Sequence, residues 1–235
     1  MNDYTLGIKE LDDAIDGIRK GSNIMLMAPP MSGTEVILNN IMYNGAAING
    51  NAIINVTTCE SATHILEWFR ENKLNLPLDR IGIIDCVTKT SGGAVVESEN
   101  IKMASSPGDL TEIGVKIGQF FDEFLIKRKI QKNQFYLNSL STILMYANSQ
   151  TIFRFLHVFT GRIKSTGAFG IYLIDKGIHD ERTLIILKKL FDGIIEIESV
   201  NDKNFIRMID LSSKPTPWFE YEIEGAKIKI IGKKC

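Results

Sequence analysis

The sequence predicts an α/β fold, a mostly parallel β-sheet flanked by helices and extended at its C-terminal end by antiparallel strands. Three observations carry this. Short, uninterrupted apolar runs at 23–28, 52–58, 81–87, 134–138 and 169–174 read as strands buried on both faces, as parallel strands are. Longer stretches with helical periodicity separate them. After Gly193 the apolar runs follow one another too closely for crossover helices, which requires antiparallel pairing.

The elements follow in order. A helix is expected near 9–17, then the first strand over 23–28, which turns through a Pro/Gly loop into a helix over 35–49. A strand over 52–58, a helix over 61–73 and a strand over 81–87 come next. Residues 88–108 read as a flexible or functional loop, because Thr88–Gly93 and Ser105–Gly108 are rich in Gly, Ser, Thr and Pro and flank a polar stretch. The helix over 109–130 has the fullest signature: Asp109 as N-cap, Glu112 three residues on, and Ile113, Ile117, Phe120, Phe121 and Phe124 on one face. The strand 134–138, the helix 149–165, the strand 169–174 and a helix over 180–190 capped around His179-Asp180 complete the alternation. Gly193–Ser199, Phe205–Leu211, Trp218–Ile223 and Lys227–Ile231 are then strands, separated by Asn201-Asp202, Lys214-Pro215 and Glu224-Gly225.

Composition bounds the rest. A chain of 235 residues, 44% hydrophobic, fits a single domain over 1–235 that buries about 70–75% of its unfolded surface. No apolar run approaches the roughly 20 residues that span a bilayer, and Met-Asn-Asp-Tyr-Thr has no basic segment leading into an apolar one, so a cytoplasmic protein without membrane contact is expected. Cys59, Cys86 and Cys235 have no paired spacing and read as buried free thiols. His64, His157 and His179 stand apart from them, so no metal site is indicated. The net charge of −1 and pI near 6.3 give no electrostatic case for nucleic acid. The basic run Lys127-Arg128-Lys129-Ile130-Gln131-Lys132 ends a helix, where cations also suit the dipole.

Asn23–Glu35 has the strand, loop and helix of a phosphate-binding P-loop. Laid on G-x-x-x-x-G-K-[ST], the segment Ala28-Pro29-Pro30-Met31-Ser32-Gly33-Thr34-Glu35 keeps the second glycine as Gly33. Ala28 replaces the first, Thr34 the lysine and Glu35 the hydroxyl residue that would hold magnesium. Losing the lysine forfeits roughly 1.5–3 kcal/mol. A carboxylate 4 Å from phosphate costs about 1 kcal/mol in water and about 4 at an effective dielectric of 20. Together these weaken nucleotide binding roughly 10²- to 10⁵-fold. Loop amides and the positive end of the helix remain, so weak ATP or ADP binding is compatible with the segment.

Further motifs come in a fixed order. Leu6-Gly7-Ile8-Lys9-Glu10-Leu11-Asp12 with Arg19-Lys20-Gly21-Ser22 opens the chain, and Tyr43-Asn44-Gly45-Ala46 closes the loop helix. Val56-Thr57-Thr58-Cys59-Glu60-Ser61 ends the second strand, Leu137-Asn138-Ser139-Leu140-Ser141 follows the fourth, and Phe191-Asp192-Gly193-Ile194-Ile195-Glu196 opens the late strands. Together they resemble the RecA superfamily of P-loop NTPases, specifically archaeal single-domain relatives of the circadian ATPase KaiC. The resemblance implies a RecA-like core.

It also implies roles. Thr34 stands for the P-loop lysine, Glu35 for the magnesium-binding threonine, Asn138 for the Walker B aspartate and Cys59 for the first of two glutamates that activate water. Glu60 keeps the second. Asp210 and Ser212 stand where relatives carry a basic pair that reaches the neighbouring subunit's nucleotide. Five changes at one function imply a pseudo-ATPase with no catalytic residue. It would be a regulatory or scaffold protein of signal transduction, paired with a protein partner, with itself or with a RecA-like paralogue. A weak ATPase of the superfamily is the rival from the enzyme class, and a recombinase-paralogue-like DNA accessory protein is the other.

Overall fold

The computed structural model describes residues 3–15, 17–94, 97–210 and 215–234. One ten-stranded sheet organises them, in the order β10-β9-β8-β7-β1-β6-β5-β2-β3-β4. Strands β1 (Asn23–Ala28), β2 (Ala52–Thr57), β3 (Ile81–Asp85), β4 (Ile101–Met103), β5 (Asn133–Asn138) and β6 (Phe169–Asp175) pair in parallel, and β7 (Gly193–Val200) joins them parallel to β1. From β7 onward β8 (Lys203–Asp210), β9 (Trp218–Glu224) and β10 (Lys227–Lys234) run antiparallel. All six residues of β1 and of β2 are buried, whereas β7 alternates buried and half-buried positions, as a strand with one better covered face does.

Helices cover both faces. Against one lie α1 (Lys9–Ile15), α2 (Thr34–Tyr43) and α3 (Ala62–Glu71), contributing Leu11, Ile37, Ile41, Ile65 and Phe69 to a core shared with Ile206, Phe219 and Tyr221 of the late strands. Against the other lie α4 (Leu110–Phe121), α5 (Leu140–Tyr146), α6 (Ser149–Thr166) and α7 (Glu181–Lys188). The apolar face expected on α4 is buried there, and Asp109 caps it by accepting from Glu112 N–H at 2.9 Å. Glu112 accepts from Ser105 N–H at 2.7 Å instead of from the cap's own amide, so the reciprocal bond ties in the preceding loop. Two helices end in a π-turn, Asn44–Ile48 after α2 and Asp122–Lys127 after α4. In the first, Gly45 lies against Gln134 so closely that a Cβ would collide with its side chain.

Three expectations need correction. The stretch 88–108 is not structureless: it carries β4 at the sheet edge, because Asp85 at the end of β3 organises the entrance. Its buried carboxylate accepts from the backbone N–H groups of Ala62, Val87 and Thr88 and from Thr88 Oγ1, all at 2.7–2.9 Å. The short helix α5 and a 3₁₀ turn at Leu78–Arg80 were not anticipated. Cys86 is buried as expected, but Cys59 is exposed, since it sits beyond the end of β2. Ser212, Lys214 and Cys235 lie outside the described residues.

Candidate functional site

Parallel strands deliver their loops to one edge of the sheet, and those after β1, β2, β5 and β6 meet there. The loop after β1 turns through Pro29 and Pro30, exposes Met31 completely at φ 60, and passes through Gly33 at φ 72 into α2. Its shape is held by protein groups. Ser32 Oγ donates to Pro29 O at 2.7 Å and lies 2.8 Å from Thr34 Oγ1. Tyr221 on β9 donates its hydroxyl to Ser32 O at 3.1 Å, and Ile223 packs on Gly33 so that an added Cβ would fall on its Cδ1. Asn40 Nδ2 on α2 donates to Ala226 O at 2.6 Å, in the turn between β9 and β10. The left-handed backbone and the absent side chain both make Gly33 necessary. No side chain caps the N-terminus of α2, whose first turn carries Glu35, exposed.

Glu60 faces this loop from the end of β2, and its side chain is only 15% exposed. Asn138 Nδ2 donates to Glu60 Oε1 at 3.4 Å, and His64 Nδ1 lies 3.7 Å from Oε2. Burial pushes the Glu60 carboxyl up to about 7, the negative charge of Glu35 adds to the rise, and His64 opposes it. Two acidic side chains, Glu35 and Glu60, therefore stand near enough at this loop for the charge of one to act on the other. The structure brings Glu60, Asn138, Glu35 and the loop Ala28–Glu35 together; Cys59 turns away to lie 3.1 Å from Thr142 Oγ1.

Other contacts at this edge could not be read from the sequence. Thr58 Oγ1 accepts from Ser139 N–H at 2.7 Å and donates to Ser139 O at 3.0 Å, joining the β2 and β5 loops. Buried Ser141 accepts from Asp175 N–H at 2.8 Å and lies 2.8 Å from His179 Nε2. Burial lowers the His179 pKa, while Asp175 and Asp180 act the other way. Asp180 caps α7 through Thr183 N–H at 2.9 Å, as the sequence indicated. The only signal for Ser141 and His179 would have been their positions just beyond apolar strands. Among the described residues no group of three His, Cys, Asp or Glu side chains is arranged to hold a metal ion.

Elsewhere, a groove of about 630 Å³ runs beside α3, floored by Phe69, Leu74 and Ile101 and rimmed by Arg70 and Lys73. The basic run after α4 is largely engaged. Lys127 and Arg128 both reach Glu123 at 2.9 Å, and Lys132 Nζ donates to Asp3 O at 2.6 Å.

Residues 21–197 match DUF7504, a family of unknown function. The chain belongs to that family. No curated protein matches the sequence. Among solved structures, the uncharacterised protein PH0321 of Pyrococcus horikoshii, crystallised in complex with an unknown peptide, superposes with a TM-score of 0.76 at 16% identity, covering 99% of this chain and 100% of its own. The KaiC-like protein PH0186 of the same archaeon gives 0.69 at 14% identity, with 97% of each chain covered. The DUF7504 chain thus has a KaiC-like RecA fold. Among its described residues, no helix is long and apolar enough to cross a membrane.

Proposed function

We propose that this DUF7504 protein is a non-catalytic relative of KaiC-type ATPases, a regulatory or scaffold protein that acts through protein contacts. The observation that carries the reading is the acidic mouth. Glu35 and Glu60 both lie where an ATPase would place a cation; burial raises the Glu60 carboxyl to about 7, and the charge of Glu35 adds to the rise. A triphosphate entering there would meet carboxylates in place of a charge-assisted donor. Nucleotide-bound magnesium fits no better, since Asn138 stands at the Walker B position and donates its amide to Glu60, leaving no aspartate at the strand end. The loop's own shape is supported by Tyr221 and Ile223, contacts that need no phosphate.

The protein-contact half of the reading draws support from PH0321, which was crystallised with a peptide. Partners of this kind would be another protein, a second copy, or a RecA-like paralogue. The uncapped first turn of α2 favours a second reading, residual ATP binding by backbone amides alone. Calorimetric titration with Mg-ATP and with ADP separates the two. No saturable binding at micromolar nucleotide is expected; a micromolar dissociation constant would overturn the proposal.

A further inference from the structure

A ten-stranded open sheet has two edges, and this chain treats them differently. At β4 its own residues occupy the outer backbone groups. Glu97 Oε1 accepts from Met103 N–H at 3.1 Å, Ser98 O accepts from Ile101 N–H at 3.3 Å, and Ser98 N–H donates to Ile101 O at 3.0 Å. At the other end β10 is eight residues long and pairs only with β9; among the described residues no backbone hydrogen bond joins it to any other segment. A long unpaired edge is a template for another strand.

Charge decides which strand. The exposed face of β9 carries Glu222 and Glu224, which stand in register with Lys229 and Lys227 of β10, and Lys229 Nζ reaches Glu224 Oε1 at 2.9 Å. A pair of carboxylates is thus followed by a pair of ammonium groups, Lys227 and Lys229, on the same face; beyond the register shift after Ile230, Lys233 lies over the Phe219 ring on the other face. Opposite charges across neighbouring strands are favourable and like charges unfavourable. A second copy pairing through the same edge would set lysines among lysines, so the pair suppresses self-association while leaving an acidic strand welcome. Ile231, 45% exposed, offers an apolar contact, and Gly232 has open space around it.

We propose that the outer edge of β10 takes an acidic, extended segment of a partner protein as an eleventh strand, with its carboxylates opposite Lys227 and Lys229. The assignment rests on the protein-contact reading and names its surface. It lies outside the residues 21–197 that define the family match, so it belongs to this chain's own C-terminal hairpin.

The test is hydrogen exchange on the full chain with a blocked eight-residue peptide of alternating Glu and Val. Slowed exchange is expected across 227–234, with none at 101–103, and the effect fades as salt rises. Lys227→Glu with Lys229→Glu is expected to weaken the peptide at least about tenfold, two cross-strand pairs being reversed. Lys227→Arg with Lys229→Arg is expected to keep it, which separates charge from any folding defect. The edge assignment is overturned by no protection at millimolar peptide, by protection confined to the groove beside α3, or by equal binding of a Lys-Val peptide. ATP turnover would instead overturn the non-catalytic reading and leave the exchange pattern of the edge as it is.

Discussion

Glu60 is the residue on which the chemistry of the site turns. Its folded-state pKa of about 7 stands above the ordinary 4.5, so the folded chain holds a proton there that the unfolded chain has released. Its contribution to stability is therefore fully present below pH 4.5 and is lost as pH rises through 7. Glu60→Gln is expected to raise the unfolding free energy at pH 8 by on the order of 1–2 kcal/mol after solvent screening, seen as a higher thermal midpoint, and to leave it unchanged near pH 4.5. Glu35→Gln removes the neighbouring charge and is expected to bring the Glu60 carboxyl resonance to a lower titration midpoint; an unmoved midpoint would mean that the two carboxylates do not face each other. A complementary change tests the loop itself. Thr34→Lys with Glu35→Thr restores the missing cation and is expected to raise ATP affinity at least about 10²-fold. Calorimetry that detects no ATP at millimolar concentration, on a normally folded double mutant, would show that the loop has lost its phosphate cradle.

Among the elements, the pairing of the first loop with β9 sets the shape of the site. Gly33→Ala forces an L-residue into the left-handed region, at about 1–2 kcal/mol, and drives its methyl group into Ile223. Ile223→Ala removes only the second problem, so a double-mutant cycle by denaturant unfolding is expected to show a coupling of about 1 kcal/mol, and strict additivity would contradict the contact. Local pattern made many elements legible. The buried runs placed β1, β2, β3, β5 and β6, the face Ile113–Phe124 placed α4, and Asp109 and Asp180 were read as caps. What the sequence hid is what depends on distant partners. Thr58 with Ser139, Ser141 with His179 and Tyr221 with Ser32 lie from 38 to 189 residues apart, and no local periodicity encodes them. The strand β4 was hidden for a related reason, since its three residues are held by pairing with β3 and by Glu97 and Ser98. Residue type alone places Cys59 inside, whereas its position past the end of β2 leaves it exposed.

At the scale of the whole molecule, a chain that binds no nucleotide has no ligand through which ATP could change its assembly. Light scattering is expected to give the same mass with and without Mg-ATP. A hexamer that forms only with ATP would contradict the non-catalytic reading. The most direct measurement is steady-state ATP hydrolysis by the purified wild-type chain across a magnesium series. The account predicts a rate indistinguishable from buffer; turnover at about 10⁻² s⁻¹ or faster, abolished by Glu60→Gln, would make Glu60 a catalytic base and the protein an enzyme.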